Sequence, residues 1–180
     1  MRIKRILYPV KVLGPGNRVG IWTTGCNFSC HGCTSPELKN FNAGKDISVD
    51  NIIKVIQKIE LPIDGFTISG GEPFEQADEL LNLLIKLNMI TDDIILYTGY
   101  YYEELNRKLS NFTEYLSLIS VLIDGRYIDE LNTGIGIKGS ANQNIIILKK
   151  NKKYENLNGC KRELQTINLD DASTLIIGII

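Results

Sequence analysis

Three of the chain's four cysteines, Cys26, Cys30 and Cys33, fall within the stretch WTTGCNFSCHGCTSPE, with His31, the only histidine, lodged among them. Thiols so closely spaced form a metal-ligand pattern, and in a reducing compartment they favour metal binding or thiol chemistry over structural disulfides. Three thiolates neither close a tetrahedral structural zinc site nor fill the four corners of a cubane iron–sulfur cluster, so one metal corner is left open. His31 is available as a fourth zinc ligand, but it directly follows Cys30 and crowds Cys33, unlike finger spacing. The competing reading of His31 is a loop residue exposed or standing behind the ligands. Cys160, far away in NLNGCKREL, is expected to be an ordinary free cysteine.

An open metal corner is useful only if a ligand or substrate coordinates it, so a neighbouring loop should supply an amino-acid or nucleotide site. SGGEP, residues 69–73, suits that need. Gly70 and Gly71 let a ligand approach the backbone, Glu72 accepts hydrogen bonds from a cationic amine, and Pro73 stiffens the exit. Taken alone, the same string is also an ordinary turn before a helix. GPGNR, residues 14–18, lacks the Lys-Ser/Thr ending of a phosphate loop and is expected to be a turn into a strand, with Arg18 near the metal rim. The tyrosines at 100–102 suit a helix start with partly buried aromatics better than base stacking or electron transfer.

Apolar runs of strand length alternate with helical patterns, the order of an α/β fold with a largely parallel sheet. Strands are expected at 18–24, 64–69, 93–98, 119–124 and 144–149. Helices are expected in SVDNIIKVIQKIE with Ser48 or Asp50 as N-cap, in EQADELLNLLIKLN, in YEELNRKL and in FTEYLSL. Loops at the carboxyl ends of parallel strands share one face. The cysteine loop follows the first expected strand and SGGEP the second, so the two motifs should converge. After Lys150 the composition turns polar and charged, followed by LQTINL and TLIIGII. This divides the chain into a core domain, 1–150, and an extension, 151–180, packed on the same domain with two extra strands.

A chain of 180 residues with 43% hydrophobic content supports one domain with a proper core. A net charge of −1 gives no general pull toward nucleic acid or anionic membrane. The basic amino terminus lacks the apolar core of a signal peptide, and TLIIGII is too short to span a bilayer and is expected to be a buried strand. The expected location is cytoplasmic, with no membrane association.

Cys26, Cys30 and Cys33 in a C-x3-C-x2-C arrangement, followed by SGGEP after the next strand, resemble the radical S-adenosylmethionine superfamily. YPVKVLGPGNRVGIWTTGCNFSCHGC, TISGGEPFE, LYTGYYYEEL, SVLIDGRYIDEL and GSANQNIIIL resemble, in that order, the family of anaerobic ribonucleotide reductase activating proteins, the glycyl-radical activases. The similarity runs over residues 6–149, and Gly32 before the last cysteine also matches that subgroup. The tail exceeds the usual length of the family.

The resemblance implies a partial, open (β/α) barrel in which the three cysteines hold a 4Fe-4S cluster. The methionine amine and carboxylate of S-adenosylmethionine would chelate the fourth iron, with Gly70, Gly71 and Glu72 holding the amine. Thr98, Asp124 and Arg126 stand where related activases place polar contacts to S-adenosylmethionine. Thr98–Gly99 and Asp124–Gly125 also suit plain turns, and Arg126 a surface ion pair. GSANQ, residues 139–143, is assigned to the cofactor rim or a partner surface. The implied reaction is reductive cleavage to a 5′-deoxyadenosyl radical, which takes a hydrogen atom from a backbone glycine of a partner such as anaerobic ribonucleotide reductase. A low-potential donor such as flavodoxin or ferredoxin would supply the electron. Five strands cannot wall off a radical alone, so a macromolecule should complete the enclosure. The alternatives are a radical enzyme that modifies another polypeptide and a non-enzymatic metal or electron-transfer module.

Overall fold

The computed structural model describes residues 1–168 and 173–179. Its centre is a seven-stranded mixed sheet built from β1 (Arg2–Val10), β2 (Arg18–Thr23), β3 (Lys45–Asp46), β4 (Gly65–Gly70), β5 (Ile94–Tyr97), β6 (Val121–Asp124) and β7 (Asn144–Ile147). The strand order is β3-β1-β2-β4-β5-β6-β7, and the sheet does not close on itself. Strands β2, β4, β5 and β6 run parallel, while β1, β3 and β7 are antiparallel to their neighbours. The five expected strands all form, but the last is antiparallel, because the chain reaches it through an irregular segment rather than a crossover helix.

Strand β1 is not among the sequence expectations. Its register against β2 shifts between Ile3 and Arg5 and again between Leu7 and Val10. Such bulges break the two-residue period by which a half-buried strand announces itself. The GPGNR turn does lead into a strand, connecting β1 to β2.

The parallel strands bury both faces, which explains their nearly continuous apolar runs. On the outer face, Ile68, Leu96 and Leu122 meet α1 (Val49–Ile56), α2 (Ala77–Asn88) and α4 (Phe112–Leu118) in one large core; α3 (Tyr102–Lys108) adds Leu105. Helix α1 starts where expected, with the Ser48 hydroxyl accepting from the Asn51 N–H. On the inner face, Ile95, Val121 and Ile123 pack with Ile137, Tyr154 and Leu157. The segment just past residue 150 is thus part of the inner core.

The extension continues into an antiparallel hairpin, β8 (Gln165–Asn168) and β9 (Thr174–Ile177). Leu169 and Ile180, at the ends of the two expected strands, lie outside the described residues. Strand β9 is half-exposed rather than buried: Ile177 is covered while Ile176 faces solvent, because the hairpin has a partner on one face only. Among the described residues no helix is long and apolar enough to cross a membrane.

Arg18 corrects a sequence expectation. It stands at the start of β2, a strand's length from the cysteine loop, and is fully buried. Its guanidinium pairs with Asp93 at 3.0 Å and donates to the Thr67 hydroxyl at 2.7 Å and the Phe66 carbonyl at 2.6 Å. It bolts strand starts together and is not at a metal rim.

Candidate active site

The carboxyl ends of β2 and β4 meet through backbone. The Gly71 N–H donates to the Thr23 carbonyl at 3.0 Å and the Glu72 N–H to the Gly25 carbonyl at 2.8 Å. A Cβ on Gly70 would lie 2.3 Å from the Thr23 oxygen, and one on Gly71 would lie 2.4 Å from the Gly25 oxygen. Gly70, at φ +123°, is also in backbone that side chains disfavour. The paired glycines therefore admit the chain's own backbone, which locks the cysteine loop to SGGEP.

That loop leaves β2 and closes on itself, with the Gly25 and Cys26 N–H groups donating to the Leu38 and Lys39 carbonyls. Lys39 Nζ reaches back to the Cys30 carbonyl at 3.3 Å. Cys26, Cys30 and Cys33 all line one cavity of about 190 Å³, together with Gly70, Gly71, Glu72 and Thr98. Burial pushes the Cys26 thiol up, and the nearby Glu72 carboxylate and the two other thiols add to the shift. Among the described residues no three His, Cys, Asp or Glu side chains converge tightly enough for a single metal ion. The thiols line a cavity instead, an arrangement compatible with a cluster whose ligands each bind a different iron. His31 is 87% exposed, stands 4.0 Å from Asp129 and does not line the cavity.

Glu72 is the centre of the opposite wall. It is fully buried, and it caps the 3-10 turn Pro73–Gln76 by accepting from the Phe74 N–H at 3.0 Å. The Thr98 hydroxyl donates to the same oxygen, Oε1, at 2.9 Å, and the Gly99 N–H donates to Oε2 at 2.6 Å. A carboxylate offers about four acceptor positions, so three protein donors leave one on Oε2. Burial pushes the carboxyl up to about 7 despite those donors. The cavity thus pairs three soft thiol donors with one incompletely satisfied acceptor, a donor set that fits an iron–sulfur cluster and an amine-bearing ligand.

The family model described as "4Fe-4S single cluster domain" matches residues 12–146. The anaerobic ribonucleoside-triphosphate reductase-activating protein of Enterobacteria phage T4 is 32% identical over 145 residues, covering 77% of this chain and 90% of that protein. Its counterpart in Haemophilus influenzae is 33% identical, covering 76% and 92%. This chain belongs to the anaerobic ribonucleoside-triphosphate reductase-activating protein family. A pyruvate formate-lyase-activating enzyme from Clostridium pasteurianum is 31% identical over a shorter span, 39% of this chain and 32% of that protein.

Within this activating-protein chain the remaining expected site residues separate. Thr98 joins the cavity through Glu72. Asp124 is fully buried and accepts from the Tyr102 N–H at 2.7 Å and the Asn144 side chain at 2.8 Å, so it ties β6 to α3 and β7. Its neighbour Gly125 lines the cavity. Arg126 makes a two-pronged pair with Glu104, both contacts 2.9 Å, and lies over the Phe28 ring at 4.6 Å. It therefore braces the cysteine loop from outside, since Phe28 sits between Cys26 and Cys30. In GSANQ, Gln143 accepts from the Gly139 and Ser140 N–H groups and donates to the Gly125 carbonyl at 2.7 Å. Gly139 and Gln143 both line the cavity.

Sequence reasoning missed Tyr97, Tyr127 and the tail residues Gly178 and Ile179, which also line it. Tyr97 had a signal in the strand alternation of IILY, which puts it on the inner face beside Ile95. The tail had none, because only the packing of the hairpin brings it there.

Proposed function

We propose that this chain is the enzyme that installs a glycyl radical in a partner, an anaerobic ribonucleoside-triphosphate reductase, by reductive cleavage of S-adenosylmethionine. The observation that carries this reading is the shared cavity. Three thiols and a carboxylate with one acceptor position left meet at the carboxyl ends of β2 and β4, in a member of a 4Fe-4S single cluster domain family. The open mixed sheet with helices on its outer face supports reading the fold as the half-barrel that such chemistry uses, with 1–150 read as its core and 151–180 as an extension of the same unit.

A 4Fe-4S cluster carrying S-adenosylmethionine supplies one low-potential electron and a carbon radical able to take a hydrogen atom from glycine. Cys26, Cys30 and Cys33 would hold the cluster, three thiol ligands lining one cavity. Glu72 would accept from the methionine amine at its remaining Oε2 position, and Thr98 and Gly99 hold that carboxylate in place. The backbone at Gly70 and Gly71 keeps the two loops in register. Gly125 and Gln143 border the cofactor, with Asp124 and Arg126 supporting that rim through β6 and the cysteine loop. The apolar inner face excludes water from the reacting centre. The electron comes from a reduced flavodoxin or ferredoxin, and the site operates in a reducing cytoplasm where thiolates persist.

The test is anaerobic reconstitution with iron, sulfide, S-adenosylmethionine and the partner reductase. The parent chain yields 5′-deoxyadenosine and a glycyl-radical resonance on the partner. The Cys26→Ala, Cys30→Ala, Cys33→Ala variant binds no cluster and yields neither. A parent with verified cluster, cofactor and partner that makes no 5′-deoxyadenosine would overturn the reading.

A further inference from the structure

The extension has a course that the family does not account for. The family match ends at residue 146, and the relatives named above are already covered to 90% and 92% of their lengths by the aligned 145 residues. Beyond that point Arg162 clamps the loop after β6. Its guanidinium donates to the Gly136 carbonyl at 3.2 Å, the Lys138 carbonyl at 2.5 Å and the Gly139 carbonyl at 3.0 Å. The chain then crosses to the opposite flank of the sheet. Gln165 straddles the β1 exit, accepting from the Lys11 N–H at 3.0 Å and donating to the Pro9 carbonyl at 2.7 Å.

Ile177 is 4% exposed and packs with Val10 and Leu13, while Trp22 lies against the same cluster. Immediately after it, Gly178 and Ile179 line the cavity that holds the three cysteines. Ile179 packs against both the Val10–Leu13 cluster on the β1/β2 side and the Ile95–Ile123 cluster on the β5/β6 side. A segment that touches both flanks of an open sheet bridges its concave side. Without it, Leu13 and Trp22 would present apolar surface to solvent beside the thiols.

We propose that the described part of the extension, residues 160–168 and 173–179, is a wall built in the same chain that closes one flank of the radical cavity. Ile177 is its anchor, and Gly178 and Ile179 are the part that meets whatever enters. The partner then has to seal only the remaining mouth, and the flank stays dry before the partner docks. The wall rests on packing alone; its role in shielding a radical rests on the activase reading above.

Two full-length variants test it, Ile177→Asp, which places a charge in the anchor site, and the milder Ile177→Ala. Both are first checked for native circular dichroism; should the Asp variant fail to fold, the Ala variant carries the test with a smaller shift in the same direction. In protein without cluster, acrylamide quenching of Trp22, the only tryptophan, reports the flank directly. Alkylation of Cys26, Cys30 and Cys33 by a bulky maleimide, mapped by peptide mass spectrometry, reports access to the cavity.

Release of the wall is expected to raise the bulky-reagent rate by about fivefold or more, with a much smaller change for iodoacetamide, since local opening sets access for the larger probe. Unchanged quenching and alkylation in a folded variant would overturn the wall. In reconstituted enzyme with partner, the 5′-deoxyadenosine made per glycyl radical should rise in the variants. An unchanged ratio would overturn the shielding role. A parent that makes no 5′-deoxyadenosine would instead sink the activase reading and leave the alkylation result standing.

Discussion

At the amino ends of the parallel strands, Arg18 and Asp93 are buried together and every polar atom is engaged. All three guanidinium nitrogens donate, to Asp93, Thr67, Phe66 and Pro15, and Asp93 also accepts from Tyr154 Oη at 2.5 Å and pairs with Lys153 at 2.6 Å. At the carboxyl ends, Glu72 is just as buried but keeps an acceptor position open, and three thiols stand without metal-like convergence. Burial pushes the Asp93 carboxyl up, but the Arg18 guanidinium and Lys153 outweigh it and hold the group below the usual carboxylate range. With no cation beside it, the Glu72 carboxyl rises to about 7. The same sheet therefore saturates the Arg18–Asp93 pair at the end that only holds the fold and leaves Glu72 unsaturated at the end proposed to bind ligands.

Breaking the saturated end should cost most. Arg18→Ala leaves Asp93 buried with only Lys153 and Tyr154, and should lower unfolding stability in urea by about 3–5 kcal/mol. A loss under about 1 kcal/mol would mean that the two ends do not differ in the way described.

The unsaturated end should answer to pH. Below its pKa the proton of Glu72 occupies the remaining Oε2 position, so in its proposed role the carboxylate would accept from the cofactor amine only as pH rises through about 7. From about pH 6 to pH 8, the fraction ionised rises about tenfold. Affinity of cluster-loaded protein for S-adenosylmethionine should rise by a similar factor, measured by isothermal titration. Glu72→Gln should flatten that dependence; an equal slope in the variant would assign it to another group.

The smallest expected effect sharpens the comparison. Tyr154→Phe removes one of several donors to Asp93 and should cost about 1 kcal/mol in urea, with cofactor affinity unchanged. A change in cofactor affinity would show that the two ends are coupled through the inner core.

Much of the fold was legible because the parallel strands are apolar on both faces and the helices between them keep a helical period. The antiparallel β1 was hidden by its bulges, and the direction of β7 by the segment before it, which holds only the 3-10 turn Asp129–Leu131 and no crossover α-helix. At the site, the spacing of Cys26, Cys30 and Cys33 and the string SGGEP were readable, since closely spaced ligands and paired glycines are local features. Arg18 was misplaced because a turn beside a cysteine loop in sequence lies at the other end of a strand in space.

The sequence by itself determined the ligand types, their spacing and the alternation of strand and helix, because each of these rests on contacts between residues near one another in the chain. The tertiary structure alone decided that Gly70 and Gly71 admit the backbone of Thr23 and Gly25, that Glu72 retains a single acceptor position, and that Ile179 reaches the cavity. Those depend on segments far apart in the chain meeting around one site, where burial and the count of donors are properties of the packed molecule.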